Sequence, residues 1–446
     1  MKRGLSTLVL VVLALAVGAY IYFVESKRKP ASERTDEKGK VFAGLDSAKL
    51  EELEVKSSKG ELTKVKKEGD RWRVVAPVTS DADETEVSAI TSNLGSVEVQ
   101  RVVDEKPADL AQYGLAPAKT EISFRASGDS APRKLLLGDK TATGGDFYAK
   151  TGGDPRVFLV SGFLDSTFNR GTFDLRDKAV LKFAREGVTG IEVVSPTRRL
   201  VFAKDGDAWK ITEPLAVRAD AGTVEGLLGR IHTGQMKSLV ADAPTDLAPY
   251  GLDKPSSLIT FLAGSARSTI ALGSKTPEGQ IYARDLSRPM VFTVESFLAE
   301  DAGKAVDDFR PKDLYEFRTF TGTRFEITRA GTTTVFEKKK GADASAPESW
   351  AQTAPAPAKA PETSTIEDFL SKASNLRAQA FVGALPAGAT EVARTVARWN
   401  EGKKEETVVF YKAGDDLFAT RGTEVGAVTL TPGDYDDVIK SLEAIK

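Results

Sequence analysis

The chain has 446 residues, enough for two to four domains of ordinary size. Its 62 Lys+Arg and 64 Asp+Glu leave a formal net charge of −2, which excludes a global field drawing it onto nucleic acid. It has no cysteine and one histidine, His232. Disulfides, thiolate metal sites and cysteine nucleophiles are therefore excluded, and a histidine triad or multi-histidine metal site would have to be built across chains.

Gly4 to Val24 is an uncharged run of 24 − 4 + 1 = 21 residues. At about 1.5 Å rise per residue it spans the ~30 Å hydrocarbon core of a bilayer. A cleaved signal peptide would need an apolar core of only about 7–15 residues. The small-x-small sites Ala14-Leu15-Ala16 and Val17-Gly18-Ala19 are both followed by Tyr20-Ile21-Tyr22-Phe23-Val24, still apolar and rich in the aromatics of an interfacial belt. Residues 1–24 are therefore expected to be an uncleaved transmembrane signal anchor. Basic residues flank both ends, so the extracytoplasmic placement of the body rests on the short Lys2-Arg3 tail. Residues 25–40, polar and charged, are expected to be a tether.

The first module is expected over 41–180. Leu50, Leu53 and Val55 lead a β segment, followed by alternating strands at Leu62–Val65 and Trp72–Ala76, and Pro77 ends the meander. Val87, Ile90, Leu94 and Val97, spaced by three and four, form the stripe of an amphipathic helix. Asp83 and Glu86 suit a capping box before it. Val99–Val103 leads into the nonapeptide Pro107-Ala-Asp109-Leu110-Ala-Gln-Tyr113-Gly114-Leu115, and four short strands are expected after it, up to Val160.

A second module, 181–312, repeats this order. The nonapeptide returns as Pro244-Thr-Asp246-Leu247-Ala-Pro-Tyr250-Gly251-Leu252, an offset of 244 − 107 = 137 residues that also links Trp72 to Trp209 and Pro77 to Pro214. Val224, Leu227, Leu228 and Ile231 give the matching helix. A third, degenerate copy is expected over 313–446, with Phe325, Val335 and Trp350 in its meander and Ile366, Phe369, Leu370 and Leu376 on its helix. It lacks the nonapeptide and carries an Ala/Pro-rich stretch in an expected loop at 338–363. The fold class is thus α+β: an N-terminal transmembrane helix, then two clear and one degenerate repeat modules, each an antiparallel β-meander sheet with one amphipathic helix.

Each candidate for chemistry has a structural reading. The nonapeptide suits a one-turn helix with proline at its first position, a glycine at the left-handed end, Asp109 capping backbone N–H groups, and Leu110, Tyr113 and Leu115 turned inward. Gly138-Asp-Lys140-Thr141 and Gly273-Ser-Lys275-Thr276 resemble the end of a phosphate-binding loop but lack its earlier glycine and its helix. Asp81-Ala-Asp83-Glu84-Thr85-Glu86 opens like a calcium loop, yet has Glu86 where glycine belongs and Ser92 where the last ligand belongs, and the second copy has Arg218 in place of Asp81. His232 lies beside the apolar stripe near a helix end. Trp72 and Trp209 suit a core, or a sugar-binding surface if exposed. No catalytic, cofactor-binding or metal residue is assigned, and no cofactor is expected.

The single anchor, the meander ending in Trp72 and Pro77, Asp-Leu-x-x-Tyr-Gly-Leu, and Leu-Gly-x-Lys-Thr followed by Phe/Ile-Tyr-Ala together resemble a bacterial family known as domain of unknown function 4340. The resemblance covers Val41 to about Lys312 well and the rest weakly. It implies a single-pass inner-membrane protein with its body in the periplasm, and it suggests a context, since some members of the family are encoded beside gliding-motility-type ABC transporter components. The leading expectation is a non-enzymatic scaffold or accessory subunit of an envelope complex with protein partners. The alternatives are a cell-wall glycan or lipid binding module, using clefts between modules or exposed Trp72 and Trp209, and a hydrolase with an unrecognised carboxylate pair.

Overall fold

The computed structural model describes residues 39–341, 348–357, 360–422 and 424–445; the expected anchor and all but the last two residues of the expected tether lie outside the described residues. Among the described residues no helix is long and apolar enough to cross a membrane. The chain divides into two compact units, Met1–Lys178 and Ala179–Lys446.

The first unit holds one antiparallel sheet. Strands β1 (Leu50–Lys56), β2 (Leu62–Glu68) and β3 (Arg71–Ala76) form a meander, edged by the two-residue β4 (Ser80–Asp81). Helix α1 (Glu84–Ser96) carries the chain to the opposite edge, where β5 (Arg101–Asp104) begins the second half. After it come β6 (Thr120–Ala126), β7 (Arg133–Lys140), β8 (Asp146–Thr151) and β9 (Val157–Ser161). The order β4-β3-β2-β1-β6-β7-β8-β9-β5 makes β1–β6 the seam between the halves. Alternation puts Leu53 and Val55 of β1 opposite Phe124 and Ile122 of β6, and this apolar face joins the Val87, Ile90 and Leu94 stripe of α1 in one core. Two short helices, α2 (Leu164–Phe168) and α3 (Thr172–Leu175), add Leu164, Phe168 and Leu175 to it.

Asp83 does cap α1, accepting from Thr85 N at 3.1 Å and Glu86 N at 3.2 Å. The reciprocal half of the expected capping box is not formed. The Asp83 N–H donates to the carbonyl of Leu175 at 2.9 Å, and Glu86 pairs instead with Arg170 at 2.9 Å.

The second unit holds two sheets. The first of them comprises β10 (Gly190–Ser195), β11 (Arg198–Asp205), β12 (Ala208–Glu213), β13 (Val217–Arg218), helix α4 (Ala221–His232), β14 (Ser238–Ala241), β15 (Ser257–Ala263), β16 (Ala266–Lys275), β17 (Ile281–Asp285) and β18 (Val291–Val294), closed by α5 (Phe297–Gly303). Its order, β13-β12-β11-β10-β15-β16-β17-β18-β14, is that of the first unit strand for strand.

The other comprises β19 (Gly322–Arg329), β20 (Thr332–Lys339), β21 (Ser349–Ala354), helix α6 (Thr363–Ser374), β22 (Ala380–Val382), β23 (Thr390–Trp399), β24 (Lys404–Ala413), β25 (Asp416–Arg421) and β26 (Ala427–Leu430). The order β21-β20-β19-β23-β24-β25-β26-β22 repeats the pattern again, without the two-residue edge strand among the described residues. Apart from that edge strand, the third copy keeps the strand order where its sequence had eroded. The expected loop at 338–363 is narrower than its composition suggested, because β20 runs to Lys339 and β21 begins at Ser349 to bury Trp350. A last helix, α7 (Pro432–Glu443), packs on α6 and adds Tyr435, Val438 and Ile439 to the core; no sequence expectation covered it.

Candidate functional site

The nonapeptide forms a single 3-10 turn, Ala111–Tyr113 in the first copy and Ala248–Tyr250 in the second. Asp109 accepts from Ala111 N at 2.8 Å and Asp246 from Ala248 N at 3.0 Å. Gly114 and Gly251 end the turns at φ 65° and 63°, the left-handed region. Pro107 and Pro244 lie before the turn and not at its first position, contrary to expectation; only Pro249 falls inside it. Leu115 and Leu252 are buried, while Tyr113 and Tyr250 are half-buried and set their rings 5.1 and 5.3 Å from Tyr148 and Tyr282.

These side chains cover the face of the sheet that α1 and α4 leave open, in a small second core of Leu115, Ala118 and Val157, and its counterpart of Leu252, Ala271 and Val291. Val157 to Val160, and all of β18, are therefore buried on both faces, which is why they read as unbroken apolar runs.

The turn sits directly on β7. A Cβ on Gly138 would lie 2.1 Å from the Tyr113 carbonyl oxygen, and one on Gly273 the same 2.1 Å from that of Tyr250. Each glycine marks an irregularity in its ladder, between Leu137 and Lys140 and between Leu272 and Lys275. The Leu-Gly-x-Lys-Thr motif is thus a seat for the nonapeptide. In the third sheet Tyr411 occupies the matching ladder position, beside the Phe410–Ala419 pair that answers Leu272–Ala283, and β24–β25 runs without a register shift. Seat and nonapeptide are lost together.

The remaining sequence candidates are also engaged within the fold. Trp72 accepts no exposed role: it and Trp209 are buried, so the surface the glycan or lipid reading asked of them is not there. The acids of the calcium-like stretch serve α1: Asp83 pairs with Lys178 at 2.9 Å, and Glu84 accepts from Trp72 N at 2.8 Å. His232 is exposed, its ring 5.4 Å from that of Phe183. Among the described residues no group of three or more His, Asp or Glu is placed to hold a metal ion.

Two clusters escaped the sequence reading. Within the second unit, Arg218 of β13 donates to Glu424 at 2.7 Å, to Glu316 at 3.2 Å and to the Leu314 carbonyl at 3.3 Å. Arg421 donates to Glu424 at 2.7 Å and to the Asp313 carbonyl at 2.7 Å. Burial pushes the Glu406 carboxyl above its usual range, although Phe317 N at 2.7 Å, Glu316 N at 3.1 Å and Arg218 all pull it down. These charges tie the second sheet to the third. Arg218 had registered only as a departure from a calcium pattern.

The second cluster lines a cavity of about 720 Å³, wide open to solvent, between the third sheet and α6, with Arg318, Thr319, Phe320, Lys338, Trp350 and Glu367 among its lining residues. Trp350 is the second residue of β21, as Trp72 is of β3 and Trp209 of β12, so one core position is repeated three times. The third of them, Trp350, lines this cavity.

Fold and sites together define a tandem-repeat protein built from one sheet-and-helix module. The family described as Domain of unknown function (DUF4340) matches it twice, over residues 72–208 and 209–396, and the chain belongs to that family. No curated protein matches the chain.

Proposed function

We propose that this chain is a non-enzymatic, membrane-anchored extracytoplasmic scaffold, an accessory subunit of an envelope complex such as an ABC transporter. The observation that carries the reading is the use of the motifs repeated between copies: Asp109 and Asp246 cap turns, Gly138 and Gly273 seat them, and Trp72, Trp209 and Trp350 fill cores. The repeated residues build the module, which leaves its surface to vary and to meet partners. The uncharged run from Gly4 to Val24 supports the anchor, and its basic Lys2-Arg3 tail the outward placement of the body. Crosslinking in living cells followed by mass spectrometry tests the proposal. Reproducible envelope-protein partners are expected; recovery only as an unbound monomer would overturn it.

A further inference from the structure

In the second sheet, Trp209 donates its indole N–H to Glu225 Oε1 at 2.8 Å, and Arg185 donates to Oε2 of the same carboxylate at 3.2 Å. The third sheet keeps two members of this group. Trp350 holds the place of Trp209, and Glu367 follows the buried Ile366 of α6 as Glu225 follows Val224 of α4. The place of Arg185, two residues after Phe183, falls to Thr319, two residues after Phe317. Where the second sheet has a closed contact, the third has the 720 Å³ cavity, lined by Thr319, Trp350 and Glu367.

Its charges are unequally matched. Lys338 is engaged by Glu348 at 3.6 Å and by the Phe320 carbonyl at 2.8 Å. Arg318 is engaged by Asp313 at 2.6 Å and by the carbonyls of Tyr315 and Phe317. Glu367 is exposed and has no hydrogen bond or ion pair among the described residues, and the buried indole N–H of Trp350 has no acceptor. Phe320 stands at the rim, 78% exposed.

We propose that this cavity receives a guanidinium group from a partner polypeptide, held beside Glu367 as Arg185 is held beside Glu225. A carboxylate without a partner among the described residues, in a cavity that an exposed aromatic ring also lines, selects a cation. A guanidinium fits better than an ammonium, because its planar fork can bond the carboxylate and stack on the ring together. With that counter-charge in place, Glu367 accepts from the Trp350 N–H, completing the group seen in the second sheet. The inference rests on the scaffold reading and names the chemistry of its partner.

The full-length protein labelled with ¹⁵N at tryptophan gives four indole N–H signals, one for each tryptophan, with that of Trp350 identified by Trp350→Phe. It is titrated with N-acetyl-arginine amide, N-acetyl-lysine amide and the neutral isostere N-acetyl-citrulline amide. The arginine compound is expected to shift the Trp350 signal, the lysine compound to bind more weakly, and the citrulline compound to bind about tenfold or more weaker, as loss of a charge-assisted contact implies. Glu367→Gln, an exposed substitution that spares the fold, should weaken the arginine response by a similar factor, while Glu225→Gln leaves it unchanged. Citrulline binding as well as arginine, or an unaltered response in Glu367→Gln, overturns the proposal. Crosslinked partners without this titration would remove the site and leave the scaffold; the titration without crosslinked partners would do the reverse.

Discussion

The carbonyl oxygen of Tyr113 rests so closely on Gly138 that a Cβ there would stand 2.1 Å away. Gly138→Ala must push the whole corner off the sheet, exposing Leu115 and Val157, and is expected to cost about 2–4 kcal/mol. Gly114→Val fails for a second reason, since φ 65° is hostile to a β-branched residue and its Cβ would meet Asp139 N at 2.8 Å. Thermal melts that match the parent for both variants would show that the corner does not depend on these glycines.

Arg218→Ala leaves the half-buried carboxylate of Glu424 facing only Arg421 and takes the nearest cation from Glu406. Removing one partner from such a half-buried network is expected to cost about 2–4 kcal/mol. The loss should appear in urea unfolding of the second unit and leave the first unit's transition in place; equal midpoints would argue that this network is neutral.

Asp83 combines a cap and an ion pair. Burial raises its pKa, but Lys178 and the N–H groups of Glu86 and Thr85 outweigh burial and hold it below the usual 3.8. Its stabilisation is therefore present above pH 3.8 and is lost as pH falls through the lower folded value. Asp83→Ala should cost about 1–2 kcal/mol at neutral pH and flatten the acid limb of the first unit's stability curve.

For Glu225, the Trp209 N–H lowers the pKa first, burial opposes it, and Arg185 adds to the lowering. The contribution is present above the ordinary value of 4.5 and disappears at lower pH. The side chain is over one third exposed, so the ionic part is worth no more than ~1 kcal/mol. Glu225→Gln retains an acceptor for Trp209 and should remove the pH dependence while barely moving the neutral-pH melt; a steep acid slope persisting in that variant would assign it elsewhere.

What could be read from the sequence followed from what periodicity reports. The stripe Val87-Ile90-Leu94 announces α1, and the 137-residue offset announces a repeated sheet, because both are local patterns of burial. The destination of β5 could not be read: it crosses the sheet to pair with β9, a contact set by α1's length and direction. The role of Gly138 was hidden for a related reason. A glycine is demanded there by a backbone 25 residues away in sequence, Tyr113 to Gly138, and no neighbouring residue records that approach.

A repeating sequence has no natural first residue, but hydrogen bonding does. The family segments begin at Trp72 and Trp209, inside β3 and β12. A polypeptide cut to residues 72–208 would carry β3 without its partner β2, and β10 and β11 without β15. One cut between Lys178 and Ala179 would sever no ladder of either neighbouring sheet. The period defines the family; the ladder defines what can be lifted out intact.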